Sequence, residues 1–157
     1  MKGRDTNMAH IEWTDELSVG IDAIDKQHQR IIEYVNKLYD NLHDRDAMAD
    51  VLADTVEYTE SHFGFEETMM EEAGYPYLRA HKRIHDLFVR RVAGYKERFA
   101  AGEDIGEELH DTLVRWLVTH IKSEDANYSA SLIARFGKDE AKISKKKKSW
   151  FARLFGD

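Results

Sequence analysis

The chain has 157 residues, 42% of them hydrophobic, enough to bury one core and too few for two good ones. A formal net charge of −7 argues against a nucleic-acid binder, which needs a basic face. With no cysteine, disulfides, thiolate-bound zinc and iron–sulfur clusters are excluded.

The opening MKGRDTNMAHIEW has no apolar run of signal-peptide type, and no later stretch approaches a membrane span. Cytoplasm is therefore the expected location, and a monomer the expected state. Residues 1–21 read as an N-terminal arm that packs on a helical bundle spanning 22–137. Pro76 is the one proline and period-two alternation is rare, so helices dominate.

The first helix is predicted from about Asp22 to Leu42. Its stripe reads Ile24, His28, Ile31, Val35, Leu38 and Leu42, with Asp22 as N-cap and Asp25 in the first turn. The second, from about Asp46 to Ala73, aligns Val51, Thr55, Tyr58, His62, Glu66 and Met69. Gly74 suits its C-terminal cap, and Pro76 suits the following turn. The third carries Leu78, His81, His85, Phe88, Val92, Tyr95 and Phe99 and ends near Gly102. The fourth starts near Ile105 and carries Leu109, Leu113, Trp116, Leu117, His120, Ile121, Tyr128, Leu132 and Phe136. Short connections make sequential helices antiparallel neighbours, so the predicted fold is all-α, an up-down-up-down four-helix bundle.

Five histidines and two acids sit inside these apolar stripes: His28; His62 with Glu66; His81 with His85; His120 with Asp125. Two of the pairs have i,i+4 spacing, which stacks both side chains on one helix face. Burying one unpaired carboxylate costs several kcal/mol, and no lysine or arginine lies on the stripes at the right level to pair with these. Metal ions resolve the conflict. One ion takes four to six donors, so seven donors on four helices indicate a centre with two ions. His10, His43 and His110 fall near helix ends or in the arm and read as surface residues. Glu67, Glu71 and Glu72 read as a solvated face.

Asp125 lies five residues past His120, about 140° around a regular helix, whereas Glu124 at i+4 aligns better. Either Glu124 is the donor or a π-bulge turns Asp125 inward. The downstream stripe of Tyr128, Leu132 and Phe136 favours Asp125. A regular helix continuing Leu117, Ile121, Asp125 would also point it inward.

The elements W-x6-G-x4-D-x2-H (Trp13, Gly20, Asp25, His28), H-F-x2-E-E (His62 to Glu67), G-Y-P-x4-H-x3-H (Gly74 to His85) and H-I-x3-D (His120 to Asp125) resemble those of bacterial hemerythrins. The resemblance covers about residues 10 to 136. It implies reversible dioxygen binding at a non-haem di-iron centre in a four-helix bundle. By position it implies that His81, His85 and His120 hold one iron and His28 and His62 the other. Glu66 and Asp125 would then bridge the two, with a hydroxide or oxide. The iron with two histidines would keep an open position.

Three function classes follow: a carrier, store or sensor of oxygen; a di-iron enzyme acting on peroxide or nitric oxide; and an iron-handling or structural bundle. Only two acids among seven donors argues for binding over oxidation, and so against an enzyme. The general affinity order places copper and zinc above ferrous iron, so iron depends on supply and geometry. Ile24, Phe63, Leu117 and Ile121 are the expected walls of a dry oxygen pocket, with Trp13 or Trp116 nearby.

From Lys138 the composition changes. Residues 138–157 hold seven basic and three acidic residues, a net of +4, which leaves −11 of the total −7 for residues 1–137. Lys145 to Lys148 precede Trp150, Phe151, Leu154 and Phe155, the makings of a short amphipathic face. Weak docking of residues 145–155 on a membrane surface or a protein is the expectation, with no role as the alternative.

Overall fold

The computed structural model describes residues 10–136. Its helices are α1 Asp22–Asp40, α2 Arg45–Ala73, α3 Leu78–Ala100, α4 Gly106–His120 and α5 Ala126–Phe136. A π-helical turn, Ile121–Asp125, joins α4 to α5, so the two form the fourth rod of an all-helical bundle. α2 packs along α1, α3 and α5, and α1 also packs along α4. No helix among the described residues is long and apolar enough to cross a membrane. The 138–157 tail lies outside the described residues.

Each helix forms where apolar residues recur every three or four positions, which gives it one face to bury. On α1 that face is Ala23, Ile24, Gln27, His28, Ile31, Ile32, Val35 and Leu38. On α3 it narrows to His81, His85, Phe88, Val92 and Tyr95, and most of the helix's charged residues lie outside that stripe. The N-cap of α2 is Asp44, whose carboxylate accepts from the Ala47 amide at 3.1 Å. Gly74 ends α2 as expected, at φ 70°, a left-handed conformation that costs a residue with a side chain about 1–2 kcal/mol.

Two details of α1 differ from expectation. Asp22 is the first helical residue rather than the cap; Ile21 holds the cap position and makes no side-chain cap bond. The helix also stops at Asp40, because Asn41 leaves helical geometry and its side chain donates to the Lys37 carbonyl at 2.7 Å. Asp25 in the first turn accepts from Ser18 Oγ at 2.6 Å and from the Val19 amide at 2.9 Å. Those bonds fix how the arm enters the bundle. Farther out, Asn36 exchanges two hydrogen bonds with the backbone of Ile11, at 2.8 and 2.9 Å.

The fourth rod is not a regular helix. Its π turn adds a residue to one turn, which rotates Asp125 onto the side already occupied by His120. Asp125 is fully buried, whereas Glu124 stays partly exposed. His110, read from the sequence as a surface residue, is also fully buried. It sits on the inner side of α4 one position past Leu109, with Tyr39 against its ring at 5.0 Å. His43 is exposed, and His10 is exposed and bonded to Asp40 at 2.6 Å.

Candidate metal centre

The seven candidate donors come together at one level of the bundle, all buried. α1 contributes His28, α2 His62 and Glu66, α3 His81 and His85, and the fourth rod His120 and Asp125. Their donor atoms form two overlapping sets, each with all members within 4.8 Å of one another. One set is His81, His85 and His120 with Glu66 and Asp125. The other is His28 and His62 with the same two acids. The carboxylates are common to both.

Separations within the sets suit shared cations. His28 Nε2 is 3.0 Å from Asp125 Oδ2, and His81 and His120 Nε2 are 3.2 and 3.1 Å from Asp125 Oδ1. His62 and His85 Nε2 lie 3.2 and 3.4 Å from the two oxygens of Glu66. Donors on one ion, about 2.0–2.2 Å from it, stand about 3 Å apart when they meet it at right angles. Yet His28 Nε2, His81 Nε2, Glu66 Oε1 and both Asp125 oxygens make no hydrogen bond. Buried polar atoms are normally satisfied, and atoms rich in lone pairs that crowd a common point without hydrogens between them call for a cation. The residues fit a metal centre.

Protons take the cation's place when the site holds no metal. Burial alone would lower the His28 pKa, but the adjoining Asp125 and Glu66 carboxylates raise it to about 9. His85 is likewise raised to about 9, with Glu66 and Glu67 outweighing burial. Burial prevails at His62, which is lowered. Glu66 and Asp125 resist the upward push of burial and stay below the ordinary carboxylate range, because the surrounding imidazoles favour their anions.

A second layer of side chains sets ring orientation. His62 Nδ1 is bonded to Gln27 Oε1, and His85 Nδ1 to Glu67 Oε2 at 2.8 Å. An acceptor at Nδ1 fixes the tautomer whose Nε2 lone pair faces the centre. Tyr128 donates to Glu66 Oε2 at 2.6 Å. Phe63 stacks on His85 with centroids 3.8 Å apart, and Trp116 stacks on His120 at 4.4 Å. The sequence reading missed Gln27 and took Glu67 for solvated. Glu67 reaches His85 because α3 lies alongside α2, a contact across 18 positions that no local spacing reveals.

Beside the two-histidine set lies a cavity of about 20 Å³, room for one water-sized molecule. Its walls include both histidines of that set, His28 and His62, one of the other set, His120, and the side chains of Ile31, Phe63 and Leu117. Ile24 and Ile121 are buried in the core but are not among its lining residues. Of the tryptophans expected near the pocket, Trp116 lines the cavity and Trp13 packs, half-buried, against the core.

Comparison with known proteins agrees with this geometry. Residues 19–131 match the hemerythrin HHE cation binding domain. The chain is 48% identical to a bacteriohemerythrin of Pseudomonas aeruginosa over 148 residues, 93% of this chain and 95% of that protein. It is 52% identical to one of Stenotrophomonas maltophilia over 124 residues, 78% of this chain and 81% of that protein. A crystal structure of wild-type hemerythrin superimposes with a TM-score of 0.76 at 33% identity, covering 79% of this chain and 98% of that one. A helical bundle with this buried donor cluster and these relatives belongs to the hemerythrin family.

Proposed function

We propose that this protein binds dioxygen reversibly at two iron ions, ferrous or ferric, joined by a hydroxide or oxide, and serves to store, deliver or sense oxygen. His81, His85 and His120 would hold one iron, and His28 and His62 the other, with Glu66 and Asp125 shared between them. The observation that carries the reading is the inequality of the two donor sets, together with the small cavity on the two-histidine side. That side offers four protein donors against five on the other, so an ion held there would have room for an added ligand, and the cavity adjoins it.

When bound, the irons supply the electrons that hold dioxygen. The chain's own residues supply the rest. Neutral imidazoles outnumber carboxylates five to two, which disfavours the higher oxidation states an oxidase needs. Phe63, Leu113, Leu117 and Phe88 keep the cavity apolar and exclude the water that would draw out superoxide or peroxide. Gln27 and Glu67 keep His62 and His85 in the donor tautomer. Tyr128 holds Glu66 and, itself pushed well above its ordinary pKa by burial, keeps its proton.

The test is metal analysis with optical spectra of the reduced protein under argon, after air and after degassing. A visible band that appears with air and disappears on degassing supports a carrier. Bleaching with turnover of added peroxide would instead indicate an enzyme. Absence of an air-dependent band would indicate an iron-handling or structural site.

A further inference from the structure

Two large apolar side chains stand well out into solvent among the described residues: Tyr77, 66% exposed, and Leu87, 55% exposed. Tyr77 caps α3 and Leu87 lies along it. Leu87 shares its side of the helix with Arg79, Lys82, Arg83, Asp86 and Arg90, which recur at three- and four-residue intervals. The opposite side holds His81, His85, Phe88 and Val92 and is buried.

The four cations have no acid within ion-pair distance among the described residues. By contrast Arg98, later on the same helix, reaches Glu103 and Glu108 at 3.0 Å. Asp86 stands three or four positions from Lys82, Arg83 and Arg90, spacing that favours the helix, yet it offsets only one of the four cations. The face keeps a local excess of positive charge in a chain whose net charge is −7, and the first turn of α3 holds no acid.

We infer that this face of α3 is a docking surface for an anionic lipid bilayer, with the cations at the headgroups and Leu87 entering the interface. Charge complementarity selects an anionic partner and rejects a second copy, whose matching face would repel. The residues of this patch all come from α3, so no second element walls a groove for a peptide's side chains. A planar charged sheet needs none. At physiological ionic strength the acids on the far sides of the bundle are screened beyond about 8 Å, so a bilayer meeting this face responds to the local cations. The inference holds whatever the metal centre does. It is also separate from the Lys145–Lys148 segment, which lies outside the described residues.

The experiment uses the full-length, metal-loaded protein, sedimented with vesicles of equal parts phosphatidylglycerol and phosphatidylcholine or of phosphatidylcholine alone. Each cation near an anionic surface contributes about a five-fold factor in partitioning. Arg79→Glu/Arg83→Glu/Arg90→Glu should therefore lower partitioning to the anionic vesicles by about 100-fold or more. The milder Lys82→Gln/Arg83→Gln should lower it by about 25-fold. Circular dichroism checks that both keep native helicity. Replacing Lys145 to Lys148 by glutamine should leave the dependence on α3 in place. Equal partitioning of the wild type and the α3 variants overturns the inference. So does equal binding to neutral vesicles, absence of vesicle binding, or retention on an acidic protein matrix without any on lipid.

Discussion

The Nε2 atoms of His85 and His120 face each other at 3.1 Å across the interior of the bundle. His85 has its other nitrogen bonded to Glu67, and Glu124 Oε1 lies 3.4 Å from His120 Nδ1. Two ring nitrogens this close need a positive charge between them: a proton on His85, whose pKa is raised to about 9, when no metal is present, or a metal ion in its place. The stacking of Phe63 and Trp116 keeps either ring from turning away.

Replacing His62 by alanine separates the two sides of the centre. His62→Ala removes one of the two imidazoles of the smaller donor set and leaves the three-histidine set complete. The variant should retain part of its iron and lose the reversible visible band. A His62→Ala protein that shows the normal band on aeration would refute the proposed division of donors.

The metal-free protein should have a stability maximum near pH 6.5. His28 and His85 have folded pKa values of about 9, above the ordinary 6.5. Their contribution is complete below pH 6.5 and is lost as pH rises through 9. Glu66 and Asp125 are depressed, so their contribution is lost as pH falls below the ordinary carboxylate range. His62 and His110, lowered by burial, resist protonation and also cost stability below pH 6.5. Urea midpoints of the chelator-treated protein at pH 5, 6.5 and 9.5 check this. The metal-loaded protein should show little loss at pH 9.5, since metal takes the place of the protons.

Tyr128→Phe deletes one hydroxyl and leaves Glu66 Oε2 without its buried donor. Loss of a buried hydrogen bond to a charged group costs about 1–3 kcal/mol. Chemical denaturation should register that loss with helix content unchanged. A neutral outcome would mean that Glu66 is satisfied by the metal alone.

Gln27→Leu and Glu67→Leu each remove the acceptor at a histidine Nδ1 and leave all seven donors in place. Outer partners of this kind are worth about 10–100-fold in metal affinity. Competition with a chromophoric chelator should show a loss in that range for both variants. The Gln27 change acts on the two-histidine side and should also alter the oxygen-dependent spectrum, whereas the Glu67 change acts on the three-histidine side.

The sequence alone determined the helices, their order and six of the seven buried candidate donors, because each rests on a local periodicity. Stripes of step three or four place His28, His62, Glu66, His81 and His85 inward whatever the neighbouring helix is. Asp125 was legible only as the better of two choices; the π turn that selects it is a backbone feature of the packed bundle. Tertiary structure decided what depends on the opposite side of an interface. Gln27 meets His62 across 35 positions and Tyr128 meets Glu66 across 62. Burial of His110 likewise depends on how α4 lies against α1, including Tyr39. A chain's own pattern tells each helix which side to bury, but partners for buried polar atoms are set by which helices meet and at what height.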